Sequence, residues 1–257
     1  MMNGTADGGT PSLAKGVGVM NINDELHTLR ASLTTLHLGH AIDEYKRAKK
    51  LAAVAYDGFE KSAKDRYAVS SIVHGFCGLE SMVNELFEEM FFDTTSAFYV
   101  SPENRNPLLR SFLNNWKSKN TQEKLSVLLY QADIQISSQT ESKFRELNIL
   151  RNWLVHGFGY EITILIEQIS ETEYEKEFRV WDREDSVNWK EKFPNTKFNS
   201  LDKLNYQDAK TALEIIFDIL KALTNRFKKV LTIVVCEDPH FIEILLPEMF
   251  DHSKLLE

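Results

Sequence analysis

Three polar side chains interrupt an apolar stretch of the chain, LRNWLVHGFG at residues 150–159: Arg151, Asn152 and His156. A histidine can take up and release a proton near neutral pH. An arginine stays charged and presents a planar set of N–H donors that matches phosphate oxygens. The combination is compatible with a site that moves a proton and stabilises negative charge on a bound group. The alternative is that the unpaired carbonyls of a helix end attract cations without any chemistry.

The spacing of these residues constrains how they could act together. At about 100° per residue, Asn152 and His156 share one helix face, whereas Arg151 and His156 point about 140° apart. One helix would therefore aim the arginine and the histidine in different directions. A two-fold pair of chains removes this difficulty, since the arginine of one copy can then lie beside the histidine of the other. A homodimer would provide this arrangement, and fraying of the helix at Gly157 would also help.

Helical periodicity dominates the elements that must position this motif. Apolar residues at alternating steps of four and three predict long helices over residues 70–92 and 206–231. A similar spacing predicts another helix near the N-terminus, with a possible break at Gly39. Its apolar residues are Leu26, Leu29, Leu33 and Leu36.

The motif itself is predicted to lie on a helix of its own. Ser138 and Glu141 have the S-x-x-E arrangement of a capping box, which predicts the start of that helix. Gly157, just past His156, predicts its end. Shorter helices are predicted at about 107–118 and 121–132.

Between the motif and the last long helix the sequence changes character. Residues 160–170 (YEITILIEQIS) and 173–182 (EYEKEFRVWD) carry β-branched and aromatic residues with partial alternation. This pattern predicts a β-hairpin. After the last long helix, the segment EDPHFIEILLPEMF predicts one more short helix.

These elements predict a mainly α fold, a helical bundle with an inserted β-hairpin. A chain of 257 residues is long enough for one large domain with a sizeable core. We expect a flexible tail over residues 1–22 and one helical domain over 23–257. The hairpin and a loop would be inserted in that domain at about 160–204.

The composition argues against several classes of protein. The formal net charge of −8 argues against a broad basic surface for duplex DNA. No apolar run approaches the ~18 residues of a membrane span, and the N-terminal residues lack the apolar core of a signal peptide. The cysteines, Cys77 and Cys236, are far apart, which argues against a disulfide framework. We expect a cytoplasmic protein that does not contact membranes.

The sequence does not predict a metal site or a cofactor. His74, Cys77 and Glu80 could share a helix face, but no compact Cys/His cluster completes a coordination shell around them. A buried helix face explains His74 and Cys77 better. We interpret His37 and His40 as isolated surface histidines.

The motif and one upstream segment together resemble a known family. Arg151-Asn152-Trp153-Leu154-Val155-His156 fits the pattern R-[polar]-x3-H, and is similar to the signature of the HEPN (higher eukaryotes and prokaryotes nucleotide-binding) superfamily. CGLESMVNELFE, at residues 77–88, resembles the long helix of HEPN proteins, in which a Glu and an Asn flank small and apolar residues. The resemblance covers roughly residues 65–157 plus the last long helix.

This resemblance implies a function and a role for each motif residue. HEPN domains are small helical bundles that usually dimerise, and many are metal-independent ribonucleases of toxin–antitoxin and antiviral systems. It implies that His156 is the acid/base, that Arg151 stabilises the scissile phosphate and that Asn152 helps in positioning. The nucleophile would be the 2′-hydroxyl of the RNA substrate. A possible antitoxin or other defence-system protein would be the partner.

Other interpretations remain open from the sequence. Glu80 and Asn84 could support the cleft or pair with Arg151, or they could lie solvated at the edge of an apolar stripe. The chain could also be a non-catalytic HEPN module that binds a partner protein or a nucleotide, as other members of the superfamily do. A purely structural helical scaffold is the third alternative.

Overall fold

The computed structural model describes the backbone of residues 33–53, 58–156, 164–171, 176–182, 195–199, 203–229, 231–234, 242–245 and 256–257. Side chains are described over residues 33–53, 66–155, 195–199, 203–229 and 256–257. The predicted tail over 1–22 lies outside the described residues, as does most of the loop predicted between the hairpin and the last long helix.

Helices account for most of the described chain, so the predicted mainly α fold is confirmed. The α-helices of the described residues are α1 (Leu33–Ala52), α2 (Gly58–Phe91), α3 (Pro107–Asn114), α4 (Thr121–Gln131), α5 (Ser138–His156) and α6 (Tyr206–Phe227). One 3₁₀ turn precedes α3 and another follows it, at Pro102–Asn104 and Trp116–Ser118. Within the described residues, no helix combines the length and the apolar composition needed to cross a bilayer.

The long helix α2 lies at the centre of the packing, since α1, α4, α5 and α6 all contact it. Its predicted apolar stripe is buried along its length. The stripe consists of Ile72, Phe76, Leu79, Val83, Leu86 and Met90. The predicted stripe of α6 is buried as well, from Ala209 to Phe227. Burial of these two apolar faces builds the core that the other helices cover.

Two glycines of α2 let its neighbours approach closely. A Cβ on Gly75 would lie 2.9 Å from Cδ2 of Leu213 on α6. A Cβ on Gly78 would lie 2.9 Å from Cγ of Leu38 on α1. Both distances are well below the usual separation of carbon atoms in contact. The helices reach this separation only because positions 75 and 78 are glycines, which carry no Cβ.

The helix α1 runs through Gly39 without the predicted break. Its buried face consists of Thr34, Leu38, Ala41, Ile42, Tyr45 and Ala48, together with Gly39 and Asp43. Leu33 and Leu36, which suggested the helix, are exposed. Two series of residues at helical spacing run through this segment, and the series that contains Leu38 is buried because Leu38 packs over Gly78 of α2.

Capping side chains fix where the helices around the motif begin. The side chain and the backbone of Asn120 both take part in a capping box at the start of α4. At the start of α5, the N–H of Thr140 donates to the Ser137 hydroxyl oxygen at 3.0 Å. The predicted capping box of Ser138 and Glu141 is therefore wrong by one residue. The capping residue is Ser137, whose hydroxyl oxygen accepts the hydrogen bond from the first turn of the helix.

Two pairs of antiparallel strands are described. β1 (Ile164–Glu171) pairs with β2 (Lys176–Asp182) between α5 and α6. Whether this pair is an insertion in a family fold depends on the resemblance and stays a prediction. β3 (Leu231–Val234) pairs with β4 (Ile242–Leu245) after α6. The short helix predicted in the tail is therefore wrong over β4, whose backbone pairs with β3. The last long helix also ends earlier than predicted, at Phe227.

Candidate functional site

The motif helix α5 carries Arg151 at the edge of the core. Phe144, Leu147 and Leu150 are buried and fix the inner face of this helix. Arg151 follows directly, and its side chain is 18% exposed. The arginine is thus anchored against the core while part of its side chain remains accessible to solvent.

The guanidinium of Arg151 is held from several sides. Its Nη2 donates to Oε2 of Glu80 on α2 at 3.1 Å, and its Nη1 donates to Oδ1 of Asn152 at 3.0 Å. The guanidinium carbon lies 5.1 Å from the centre of the Phe76 ring, within the range of a cation–π contact. Its Nε is buried and has no hydrogen-bond partner. Because a guanidinium carries five N–H donors, this arrangement fixes the group without using all of them.

Glu80 can orient the arginine because both of its carboxylate oxygens accept hydrogen bonds. Oε2 accepts from Arg151, and Oε1 accepts from the Thr121 hydroxyl at 2.9 Å. Thr121 is buried and is the first residue of α4. The helices α2, α4 and α5 therefore meet at this carboxylate. Of the roles that the sequence left open for Glu80, the contact with Arg151 is the one observed.

Asn84, one turn further along α2, contacts a different cation. Its Oδ1 accepts from Nζ of Lys124 on α4 at 2.8 Å. Lys124 is only 6% exposed. Burial lowers the pKa of Lys124, while the negative charges of Glu80 and Glu88 act in the opposite direction. Two cations, one from α4 and one from α5, therefore contact the same face of α2.

Sequence reasoning missed Thr121 and Lys124 as members of this polar cluster. Both belong to the buried face of α4, together with Leu125 and Leu128. A lysine four residues before a buried leucine, in the register of an apolar stripe, is a signal that a polar partner holds the ammonium. That signal does not identify the partner, which lies 40 positions away in the chain.

The thiol of Cys77 lies beside the same guanidinium. Burial raises the pKa of Cys77, whereas the positive charge of Arg151 acts to lower that pKa. The raised pKa keeps Cys77 mainly in the thiol form at neutral pH, and a thiol is a poor nucleophile. Cys77 therefore lies beside the guanidinium as a neutral thiol.

His156 is the last residue of α5, but its side chain lies outside the described residues. The predicted approach of this imidazole to an arginine of a second copy therefore stays a prediction. The preceding residue, Val155, is exposed. The end of the motif helix thus reaches the surface of the described chain.

The structure brings together three histidines that sequence reasoning kept apart. His37 and His40 lie on α1, and both rings have their centroids 5.5 Å from that of His74 on α2. The interpretation of His37 and His40 as isolated is therefore wrong, because the docking of α1 on α2 places them against His74, although both side chains are partly exposed. Burial lowers the pKa of His74, and His37 and His40 lower it further.

Comparison with family models, with curated proteins and with solved structures gives no match to the chain. The resemblance to the HEPN superfamily therefore rests on the motif residues and on the helices that carry them.

Proposed function

We propose that this protein is a metal-independent endoribonuclease of the HEPN type, acting as a homodimer in a toxin–antitoxin or antiviral defence system. The observation that best supports the proposal is the fixed guanidinium of Arg151, which Glu80 and Phe76 hold at the edge of the core. A donor group that is oriented in advance can stabilise developing charge without reorganising during the reaction. RNA would be the substrate, and an antitoxin or another defence protein would control the activity.

The proposed reaction uses the RNA itself as the nucleophile. One His156 accepts the proton of the 2′-hydroxyl, and the 2′-oxygen forms a bond to the adjacent phosphorus. The bond between phosphorus and the 5′-oxygen breaks, and that oxygen takes a proton back from the same His156, which thereby returns to its neutral form. Arg151 stabilises the charge on the phosphate, and Asn152 helps to position it. The products are a 2′,3′-cyclic phosphate and a 5′-hydroxyl.

Glu80 and Asn84 support this site from α2 in different ways. Glu80 orients Arg151 directly, and Asn84 holds the ammonium of Lys124. The two cations contact α2 one helical turn apart. Glu80 balances the charge of Arg151, so the cluster would offer a phosphate-bearing substrate oriented N–H donors rather than a surplus of positive charge.

The proposal is tested by incubating purified protein with RNA in the presence of a chelator. Wild type should cleave, Arg151→Ala should be slower by roughly 10²–10³-fold, and His156→Ala by roughly 10²–10⁴-fold. Arg145→Ala is the matched control, because Arg145 lies on the same helix with a side chain that is 60% exposed. This control should cleave like wild type.

The dimeric arrangement has a separate test, in which the two inactive variants are mixed. A heterodimer of Arg151→Ala and His156→Ala would contain one site with both groups intact, so mixing should restore part of the activity.

Equal cleavage by all of the proteins would reveal a contaminating nuclease and end the proposal. Activity that disappears in chelator would contradict its metal independence.

A second candidate function is a non-catalytic HEPN module that binds a nucleotide or a partner protein. The ion pair with Glu80 favours it, because the charge of Arg151 is already compensated within the chain. In that case wild type should leave RNA intact while it binds a nucleotide such as ATP in calorimetry. The affinity should fall in Arg151→Ala and stay unchanged in Arg145→Ala.

A further inference from the structure

Two imidazoles of the histidine cluster face each other at a distance suited to a shared cation. Nδ1 of His37 lies 3.2 Å from Nδ1 of His74. A zinc ion binds an imidazole nitrogen at about 2.0–2.1 Å, so two nitrogens at this separation would subtend an angle of roughly 100° at the metal. That angle lies between the octahedral and tetrahedral values. Without a metal, the same pair can form a hydrogen bond in which one imidazole donates and the other accepts.

The two helices that carry these histidines are locked together on either side of the pair. One turn before His74, the Ser71 hydroxyl donates to the carbonyl oxygen of Ala41 at 2.7 Å, in a buried contact. One turn after His74, Gly78 allows Leu38 to pack directly on α2. The backbone therefore holds the pair in place before any ligand binds, which lowers the cost of ordering a site.

We propose that His37 and His74 form a chelating pair for a divalent transition metal ion such as Zn²⁺, Ni²⁺ or Cu²⁺. Imidazole nitrogen is a preferred ligand of these ions. Both side chains are partly exposed, so a hydrated ion can reach them from solvent. The metal would join α1 to α2 and would take no part in the proposed cleavage of RNA. The site does not depend on that activity.

The remaining coordination positions belong to water and to His40. Among the described residues, no three side chains of His, Cys, Asp or Glu already converge on one point. His40 lies one turn from His37 on the same helix, and its ring centroid is 5.5 Å from that of His74. A change of rotamer would make it the third ligand. The pair defines the site, and His40 strengthens it.

The test is a titration of the chelator-stripped full chain with ZnCl₂, NiCl₂ and CuSO₄ in turn, followed by calorimetry and thermal unfolding. We expect one ion per chain and a rise in Tm on binding. His37→Gln and His74→Gln should each weaken binding at least tenfold, since each removes one of two ligands while keeping a polar side chain. Glu141→Gln, which removes an exposed carboxylate of α5, is the control and should bind like wild type.

Electron paramagnetic resonance of the Cu²⁺ complex adds a readout that does not depend on stability. The wild-type spectrum should show at least two nitrogen ligands, and both variants should lose one. A variant His40→Ala that binds more weakly than wild type identifies His40 as the third ligand. The double variant His37→Gln/His74→Gln binding like wild type would overturn the proposal, as would a wild-type chain that shows neither a rise in Tm nor heat of binding.

Discussion

Arg151 and Glu80 form an ion pair between two helices, with Nη2 of the arginine 3.1 Å from Oε2 of the carboxylate. The two residues are 71 positions apart in the chain. The side chains are 18% and 33% exposed, respectively, so water screens the pair only in part. This pair fixes the direction of the motif guanidinium from outside its own helix.

The energy of this pair can be measured with a double-mutant cycle. We expect Glu80→Gln to lower the free energy of unfolding by about 1–2 kcal/mol, between the values for exposed and buried pairs, because it leaves Arg151 without its anion. Urea unfolding of Glu80→Gln, Arg151→Met and the double variant gives the coupling. Arg145 and Glu141 form a matched control pair on α5, with both side chains 60% exposed. Its coupling should not exceed about 0.5 kcal/mol, and equal couplings would show that the Glu80 pair is no more than a surface contact.

Lys124 should make the stability of the protein depend on pH in the alkaline range. Its pKa is lowered in the folded state, so the unfolded chain binds this proton more tightly. The free energy of unfolding should therefore rise as the pH climbs from the lowered pKa towards the unfolded value of 10.5. Lys124→Met should remove this rise and change stability at neutral pH by no more than about 1 kcal/mol, since the lost charge no longer needs solvation.

This expectation is checked by urea unfolding of wild type and Lys124→Met between neutral pH and pH 10.5. Subtracting the two curves of unfolding free energy against pH removes the contributions of the titrating groups that both proteins share. Lys210→Met, which replaces a half-exposed lysine of α6, is the control. A difference curve with the same slope for both variants would contradict the assignment.

The reactivity of Cys77 should report on the position of Arg151. The arginine lowers the pKa of this thiol against the effect of burial. Arg151→Gln should therefore raise the pKa of Cys77 further and slow its alkylation by iodoacetamide at mildly alkaline pH. The rate is measured in a Cys236→Ser background, so that one thiol reacts. Arg145→Gln should leave the rate unchanged, and a faster reaction of Cys77 in Arg151→Gln would show that burial, not the charge, controls it.

The two glycines of α2 should respond differently to alanine. At Gly78 the new Cβ meets Cγ of Leu38 at 2.9 Å and its backbone nitrogen at 3.4 Å, so α1 itself must move. Gly78→Ala should cost about 1–3 kcal/mol in spite of the higher helix propensity of alanine. At Gly75 the close contacts of the Cβ are with the ends of Leu213 and Ile216, which can rotate, while Cβ of Ala41 lies at an ordinary contact distance of 3.7 Å. Gly75→Ala should therefore be closer to neutral. Thermal unfolding ranks the two variants, and the reverse order would contradict the close packing of α1 on α2.

The sequence predicted the long helices well because their burial follows one periodic pattern. The stripe from Ile72 to Met90 faces the core as expected. The same reasoning took Leu33 and Leu36 as apolar-face residues at the start of α1, and both are exposed. Local spacing does not reveal which of two apolar series a neighbouring helix will cover. In α1 the series that contains Leu38 is covered, because Leu38 packs closely on Gly78 of α2.

The polar contacts could be predicted only in part. The motif drew attention to Arg151 and Asn152, and the helix register to Glu80. The partners Thr121 and Lys124 come from another helix, and the approach of His37 to His74 requires α1 to dock on α2. Contacts of this kind depend on the angle and the offset between helices, which residue spacing within one helix does not specify.

The start of α4 has a consequence for how the site could be tuned. Thr121, whose hydroxyl holds Glu80, is the residue that directly follows the capping Asn120. If that first turn frays, the carboxylate loses one of its two anchors and the arginine gains freedom to turn. A mutation at Asn120 could thus adjust the stiffness of the motif guanidinium from a distance, without replacing any side chain that touches it.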